Sequence, residues 1–164
     1  MSDVAVTPAA QPPQTAGGRR SLPPRVVARR WNIEVLLVED DEADRCLIFD
    51  VLKRHPHVST AHATDAPDKV LFDLANGYVR PGLILLDIHM PKLSGFKFLE
   101  ALRGIPAMRD TPVVLLTTSR LARDVEEARI SSASLYVVKP DTYEELQARL
   151  DGVIEQAITG AWTR

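Results

Sequence analysis

From position 31 onward, short runs of consecutive apolar residues alternate with stretches in which apolar residues recur every three or four positions. The runs occupy residues 35–38, a weaker 58–63, 83–86, 113–116 and 135–138. Each is short, flanked by turn residues and apolar on successive positions, which predicts strands buried on both faces. Between them the period changes to that of a helix. Residues 42–54 place Leu47, Ile48, Val51 and Leu52 on one predicted stripe. Further helices are predicted over 65–75, 95–103, 120–130 and 142–158, the last with Leu146, Leu150, Val153, Ile154 and Ala157 on one face. Asp141-Thr142-Tyr143-Glu144-Glu145 reads as a capped helix start, with acids in the first turn where the helix dipole favours them. Pro67 fits the first turn of its helix.

Five repeats of strand then helix imply an α/β fold around a parallel sheet, because parallel neighbours need a crossover and right-handed crossovers cover both faces. In such sheets the working groups gather beyond the carboxyl ends of the strands. Here those ends carry Glu39-Asp40-Asp41, Asp87, Thr117-Thr118 and Lys139.

Composition changes this picture at one end of the chain. Residues 1–30 hold Pro8, Pro12, Pro13, Pro23 and Pro24, the Gly17-Gly18 pair and little that could form a core, so they read as a disordered, Pro-rich arm. Five arginines against Asp3 make that arm +4, which leaves −6 for the remainder of a chain whose total is −2. A basic arm of this kind is either a solvated linker or a segment that docks on an acidic surface. The expected organisation is therefore an arm over 1–30, one domain over 31–160 and a short tail over 161–164. At 164 residues with 45% hydrophobic content, one core is possible and two full domains are not. The net charge gives no global case for nucleic acid or an anionic membrane. No apolar run approaches the ~20 residues of a membrane span. The single cysteine, Cys46, cannot form an internal disulfide, which fits a reducing, cytoplasmic setting.

The acids at the ends of the first and third strands face one another, and two like charges about 4 Å apart cost roughly 4 kcal/mol at an effective dielectric near 20. A hard, oxygen-coordinated divalent ion relieves this. Mg²⁺ takes one or two carboxylates, keeps several waters and leaves room for a phosphate oxygen. Lys139 adds an ammonium that can pair with a carboxylate or a phosphate, and Thr117 adds a hydroxyl donor. A carboxylate nucleophile, a metal-holding acid pair, a hydroxyl and a lysine together suit phosphoryl transfer to an aspartate.

Residues 33–158 resemble the receiver domain of two-component response regulators. The motifs that carry the resemblance are VLLVEDDEAD, LILLDIHMPKLSG, PVVLLTTS and LYVVKP, in the family's order and spacing. The resemblance implies a five-stranded parallel sheet of order 2-1-3-4-5 and an Mg²⁺-dependent phosphoacceptor switch. It makes Asp87 the phosphoacceptor and Glu39 and Asp40 the metal-binding acid pair, with Asp87 and the backbone carbonyl of His89 completing the metal site. Thr117 becomes the switch hydroxyl, Lys139 the phosphate-contacting lysine and Tyr136 the aromatic switch residue. Asp41 lies one position beyond the usual pair and reads as a solvated acid at a helix start. The His89 imidazole reads as an exposed loop side chain placed to influence water access to the acyl phosphate. Ser132-Ala133 stands where the family often has Gly-Ala, so the fourth helix is expected to end differently.

The VEDDEAD start, the RPGLILLD approach, the MRDTPVVLLTTS stretch and Trp162 further resemble the single-domain regulators that accompany bacterial phytochromes. That likeness implies a sensor histidine kinase as phosphodonor, a bacteriophytochrome in its specific form, and a homodimer through the face of the fourth helix and fifth strand. With about six residues beyond the last helix, no DNA-binding domain is expected, and output passes through partner binding, self-association or onward transfer in a phosphorelay. A haloacid-dehalogenase-type phosphatase would carry a second acid two residues after the nucleophile, where this chain has His89. A flavodoxin-type module would need a Ser/Thr/Gly phosphate loop where residues 39–44 read EDDEAD.

Overall fold

The computed structural model describes residues 32–91, 93–118 and 122–162, so the arm over 1–30, Trp31, the first residues of the predicted fourth helix and the last two residues lie outside the described residues. The elements alternate throughout. They are β1 (Ile33–Val38), α1 (Glu42–Arg54), β2 (Val58–Thr64), α2 (Pro67–Ala75), β3 (Leu83–Asp87), α3 (Gly95–Arg103), a 3₁₀ turn (Pro106–Met108), β4 (Val113–Thr117), α4 (Ala122–Ile130), β5 (Leu135–Val138) and α5 (Tyr143–Thr159). The strands form one sheet of order β2-β1-β3-β4-β5, every neighbouring pair parallel, as expected.

Alternation along the strands divides the core in two. Val35 and Leu37 of β1, Leu83 and Leu85 of β3 and Val114 and Leu116 of β4 face α1 and α5, where they meet Ile48, Leu52, Leu150 and Ile154. Leu36 and Val38, Ile84 and Leu86, and Val113 and Leu115 point to the other face, against Val70 and Leu74 of α2 and Phe98, Leu99 and Leu102 of α3. Each fully buried side chain of this kind stabilises the fold by roughly 1.5–3 kcal/mol relative to exposure. β1, β3 and β4 are thus buried on both faces. The edge strands β2 and β5 are only half-buried, because each has a neighbour on one side alone.

Helix ends follow local chemistry. The Asp41 carboxylate caps α1 by accepting from the Asp44 N–H at 2.9 Å, Ser94 caps α3, and Thr142 caps α5. Predicted α2 starts two residues later than its apolar pattern suggests. Thr64 Oγ1 accepts from the Ala66 N–H at 3.0 Å, holding a turn before Pro67 takes the first helical position. Leu47 departs from the predicted stripe. It is 42% exposed, at the rim of the face that buries Ile48, Val51 and Leu52. α4 ends at Ile130 without a left-handed residue, for among the described residues only Gly77 and Gly160 have positive φ. Arg103 ties the following loop down instead, donating to the Ser132 carbonyl at 2.9 Å and to the carbonyls of Met108 and Thr111 at 2.9 and 2.8 Å.

At the amino ends of the strands, His55 ends α1 with its side chain 6% exposed. Its Nδ1 accepts from the His57 N–H at 3.2 Å, and its Nε2 lies 3.6 Å from Asp151 Oδ1 of α5. Burial, countered by Asp151 and Glu155 and aided by His57, holds the ring below its ordinary pKa. Protonation would also place a hydrogen on the nitrogen that now accepts. A depressed histidine pKa contributes stability that is complete above about pH 6.5 and is lost as pH falls toward the folded-state value. Urea unfolding midpoints are expected to drop between pH 7.5 and 5.5 by more in the wild type than in His55→Gln. Equal drops would show that His55 does not carry the effect.

Candidate functional site

Sheet register brings the site together. Val38 pairs with Leu86, so the residues that follow, Glu39 and Asp87, emerge side by side at the point where the strand order reverses. Asp87 pairs with Leu116 and Thr117 with Val138, which sets Thr117 and then Lys139 at the same edge. Backbone bonds extend this alignment past the strands: the Ile88 N–H donates to the Leu116 carbonyl at 3.1 Å and the Lys139 N–H to that of Thr117 at 2.7 Å.

Among the described residues, the buried polar side chains are Glu39, Asp87 and Thr117, at 1%, 4% and 0% exposed. Lys139 reaches over them. Its Nζ donates to Glu39 Oε2 and to Asp44 Oδ2, both at 2.7 Å, and sits 3.0 Å from Asp87 Oδ1. Asp87 Oδ2 accepts from the His89 N–H at 2.7 Å, and Glu39 Oε1 accepts from the Asp41 N–H at 3.2 Å. Arg45, one turn into α1, donates to the carbonyls of Glu39 and Asp40 at 3.1 and 3.2 Å and steadies the backbone that presents both acids.

The electrostatics are crowded. Burial pushes the Glu39 carboxyl up to about 7; the Lys139 hydrogen bond opposes this and the Asp87 charge reinforces it. Burial works against the Lys139 charge, but its hydrogen bonds to Asp44 and Glu39 and the charges of Asp87 and Glu39 win, so it is held above its ordinary value and stays an ammonium. One carboxylate oxygen from each of Glu39, Asp40 and Asp87 lies within 4.8 Å of the others. The converging carboxyl groups outnumber the one ammonium, so negative charge is in excess. The donors are all oxygens, which suits a hard divalent ion such as Mg²⁺ or Mn²⁺ rather than one that prefers nitrogen or sulfur.

α3 closes the third side. The Gly95 N–H donates to the Ile88 carbonyl at 3.0 Å, and a Cβ on Gly95 would overlap the Asp87 carbonyl oxygen and come within 2.9 Å of Ile88 Cα. Absence of a side chain is what lets this helix start against the acceptor's backbone.

Glu39, Asp40, Asp87, His89, Thr117 and Lys139 lie at or beside this pocket, whereas Tyr136 is half-buried on β5 and packs on the α2/α3 side of the sheet. The structure shows Asp41 as the exposed cap of α1. His89 is exposed, yet its ring does more than face water: Nδ1 lies 3.2 Å from Thr117 Oγ1. Sequence reasoning missed Asp44, Arg45 and Gly95. Asp44 ends the quoted VEDDEAD stretch and Arg45 follows it, but an acid and a base in a first helical turn are ordinary, and only the fold brings Lys139 to Asp44.

Comparison with known proteins agrees with this geometry. Residues 35–151 match the response regulator receiver domain, and the chain belongs to that family. It is 30% identical over 148 residues to Response regulator Rcp1 of Synechocystis sp., covering 81% of this chain and 88% of that protein. It is 36% identical over 123 residues to Transcriptional regulatory protein AfsQ1 of Streptomyces coelicolor, of which it spans about half the length, 51%, with 74% of this chain covered. Among solved structures, the phosphorylated cyanobacterial phytochrome response regulator RcpA superposes with a TM-score of 0.69 at 24% identity, covering 79% of this chain and 96% of that one. The Mn²⁺-bound form of Rcp1 superposes with a TM-score of 0.62 at 30% identity, covering 76% and 92%. Receiver domains are phosphoacceptor switches rather than enzymes of turnover. Among the described residues no helix is long and apolar enough to cross a membrane.

Proposed function

We propose that this protein accepts a phosphoryl group on Asp87 from a sensor histidine kinase and signals through the resulting change of shape. The observation that carries the reading is Lys139 Nζ at 3.0 Å from Asp87 Oδ1 beside the converging oxygens of Glu39, Asp40 and Asp87. A carboxylate oxygen of Asp87 forms the new P–O bond as the P–N bond to the donor's imidazole breaks, and the donor nitrogen keeps the electron pair. Lys139, whose charge the surrounding acids maintain, holds a phosphoryl oxygen. Glu39, Asp40, Asp87 and the His89 carbonyl would hold Mg²⁺, which supplies charge neutralisation on the transferring group. The Mn²⁺ form of Rcp1 supports an ion of this class here. Incubation with Mg²⁺ and a small acyl-phosphate donor is expected to give an acid-stable, alkali-labile adduct on the wild type. No adduct would sink the reading.

Output runs through Thr117 and Tyr136. Thr117 Oγ1 turns toward the phosphoryl oxygens and away from His89 Nδ1, and Tyr136 follows on β5. The face around β5 carries an open groove of about 1140 Å³ whose lining includes Val125, Arg129, Leu135, Tyr136 and Trp162. Val125 and Ile130 on α4 are 45% and 72% exposed, so apolar surface is available there for a second copy. The resemblance of the VEDDEAD start and the MRDTPVVLLTTS stretch to regulators that accompany bacterial phytochromes supports a bacteriophytochrome as the donor kinase. The exposed, unpaired Cys46 suits a cytoplasmic setting, and residues 1–30 act as a basic arm outside the receiver over 31–160. Size-exclusion elution with and without a beryllofluoride phosphoryl mimic is expected to shift toward a dimer on phosphorylation. Unchanged elution would remove self-association from the proposal.

A further inference from the structure

Phosphotransfer as just described gives no task to the third acid on Lys139. An ammonium has three N–H donors, and here they meet Glu39 and Asp44 at 2.7 Å each and Asp87 at 3.0 Å. Glu39 and Asp87 are also two of the three acids whose oxygens converge within 4.8 Å. A divalent cation and Lys139 therefore compete for the same two carboxylates. Asp44 stands apart from that trio, in the first turn of α1, with its backbone N–H fixed by the Asp41 cap and its side chain 36% exposed. It is the partner of Lys139 that lies outside the trio.

We propose that Asp44 is a positioning residue that takes the Lys139 ammonium over from Glu39 as a divalent cation enters, freeing Glu39 for the ion while keeping the lysine beside Asp87. The inference deepens the functional reading above and rests on it. Lys139 is 9% exposed, so water replaces a lost carboxylate poorly there. Without Asp44, releasing Glu39 leaves the ammonium with Asp87 alone, and Lys139 clings to the carboxylate that the cation needs. Both outcomes disfavour cation binding. The device works only through Lys139, which separates it from the simple loss of one negative charge near the site.

The test is a double-mutant cycle on the full chain, with Mg²⁺ affinity measured by isothermal titration calorimetry for wild type, Asp44→Asn, Lys139→Met and the pair. Asp44→Asn is expected to weaken Mg²⁺ binding by about three- to tenfold, the scale of one charged hydrogen bond, and by less than about twofold when Lys139→Met is already present. Asp44→Glu, which keeps the acid, is expected to recover most of the loss. An unchanged affinity in Asp44→Asn, or the same weakening in both backgrounds, overturns the role for Asp44 while leaving the phosphoacceptor reading intact. Wild-type protein that neither binds Mg²⁺ nor forms the adduct overturns both. Asp44→Ser enters the same cycle as a second variant, with urea midpoints and far-UV circular dichroism establishing that each protein is folded.

Discussion

Asp87→Asn is expected to form no adduct with an acyl-phosphate donor, and to unfold at a higher urea concentration than the wild type when divalent ions are chelated. The first result follows from the loss of the carboxylate nucleophile, since an amide cannot form the acyl phosphate. The second follows from charge. Asp87 is among the causes that push Glu39 up to about 7, and replacing it with a neutral side chain removes that repulsion. Lys139 keeps Glu39 and Asp44 at 2.7 Å, so the ammonium is not stranded. Two like charges about 4 Å apart cost roughly 4 kcal/mol at an effective dielectric near 20, and the lost Asp87–Lys139 pair cancels part of the gain, so a net increase of about 1 kcal/mol is the expected scale. Added Mg²⁺ narrows the difference, because it stabilises the wild type more than the variant. An equal adduct on both proteins would place the acceptor elsewhere, and a lower midpoint for Asp87→Asn would overturn the charge argument.

Gly95→Ala is the second large effect, and it tests geometry rather than charge. The added methyl overlaps the Asp87 carbonyl oxygen and meets Ile88 Cα at 2.9 Å, and both are backbone atoms that cannot rotate away. Either α3 retreats, breaking the 3.0 Å bond from the Gly95 N–H to the Ile88 carbonyl, or the end of β3 shifts. Overpacking of this kind costs roughly 1–3 kcal/mol. Phosphorylation is expected to slow by about 10- to 100-fold, since a displacement of ~1 Å at a reacting group costs on that order. The measurements are a urea midpoint and a rate of adduct formation at saturating donor. A variant with wild-type values for both would mean that α3 does not fix Asp87.

Alternating apolar runs and helical stretches were sufficient to read the strand and helix order, because the inner strands are buried on both faces and show it on consecutive residues. Leu47 marks the resolution of that reading. An apolar residue adjoining a helical stripe looks the same in sequence whether it is inside or at the rim, and packing puts it at the rim. The pocket was legible to the extent that its members end strands: Glu39, Asp87, Thr117 and Lys139 each follow an apolar run, and register aligns those ends. Asp44, Arg45 and Gly95 were hidden for a common reason. Their roles depend on what another segment brings to them, whether an ammonium, a pair of carbonyls or the end of β3. Sequence spacing along α1 or α3 carries no trace of it.

The Lys139 bridge joins residues 100 positions apart at Glu39 and 95 apart at Asp44. Closing loops of that length is entropically slow, and contacts of high sequence separation form late in folding. A chain emerging from the ribosome can present Asp87 and the two acids that follow β1 well before β5 exists, yet it lacks the ammonium until the last strand docks at the sheet edge. The charge balance around Asp87 therefore stays incomplete until β5, the fifth strand in the chain, has taken its place beside β4.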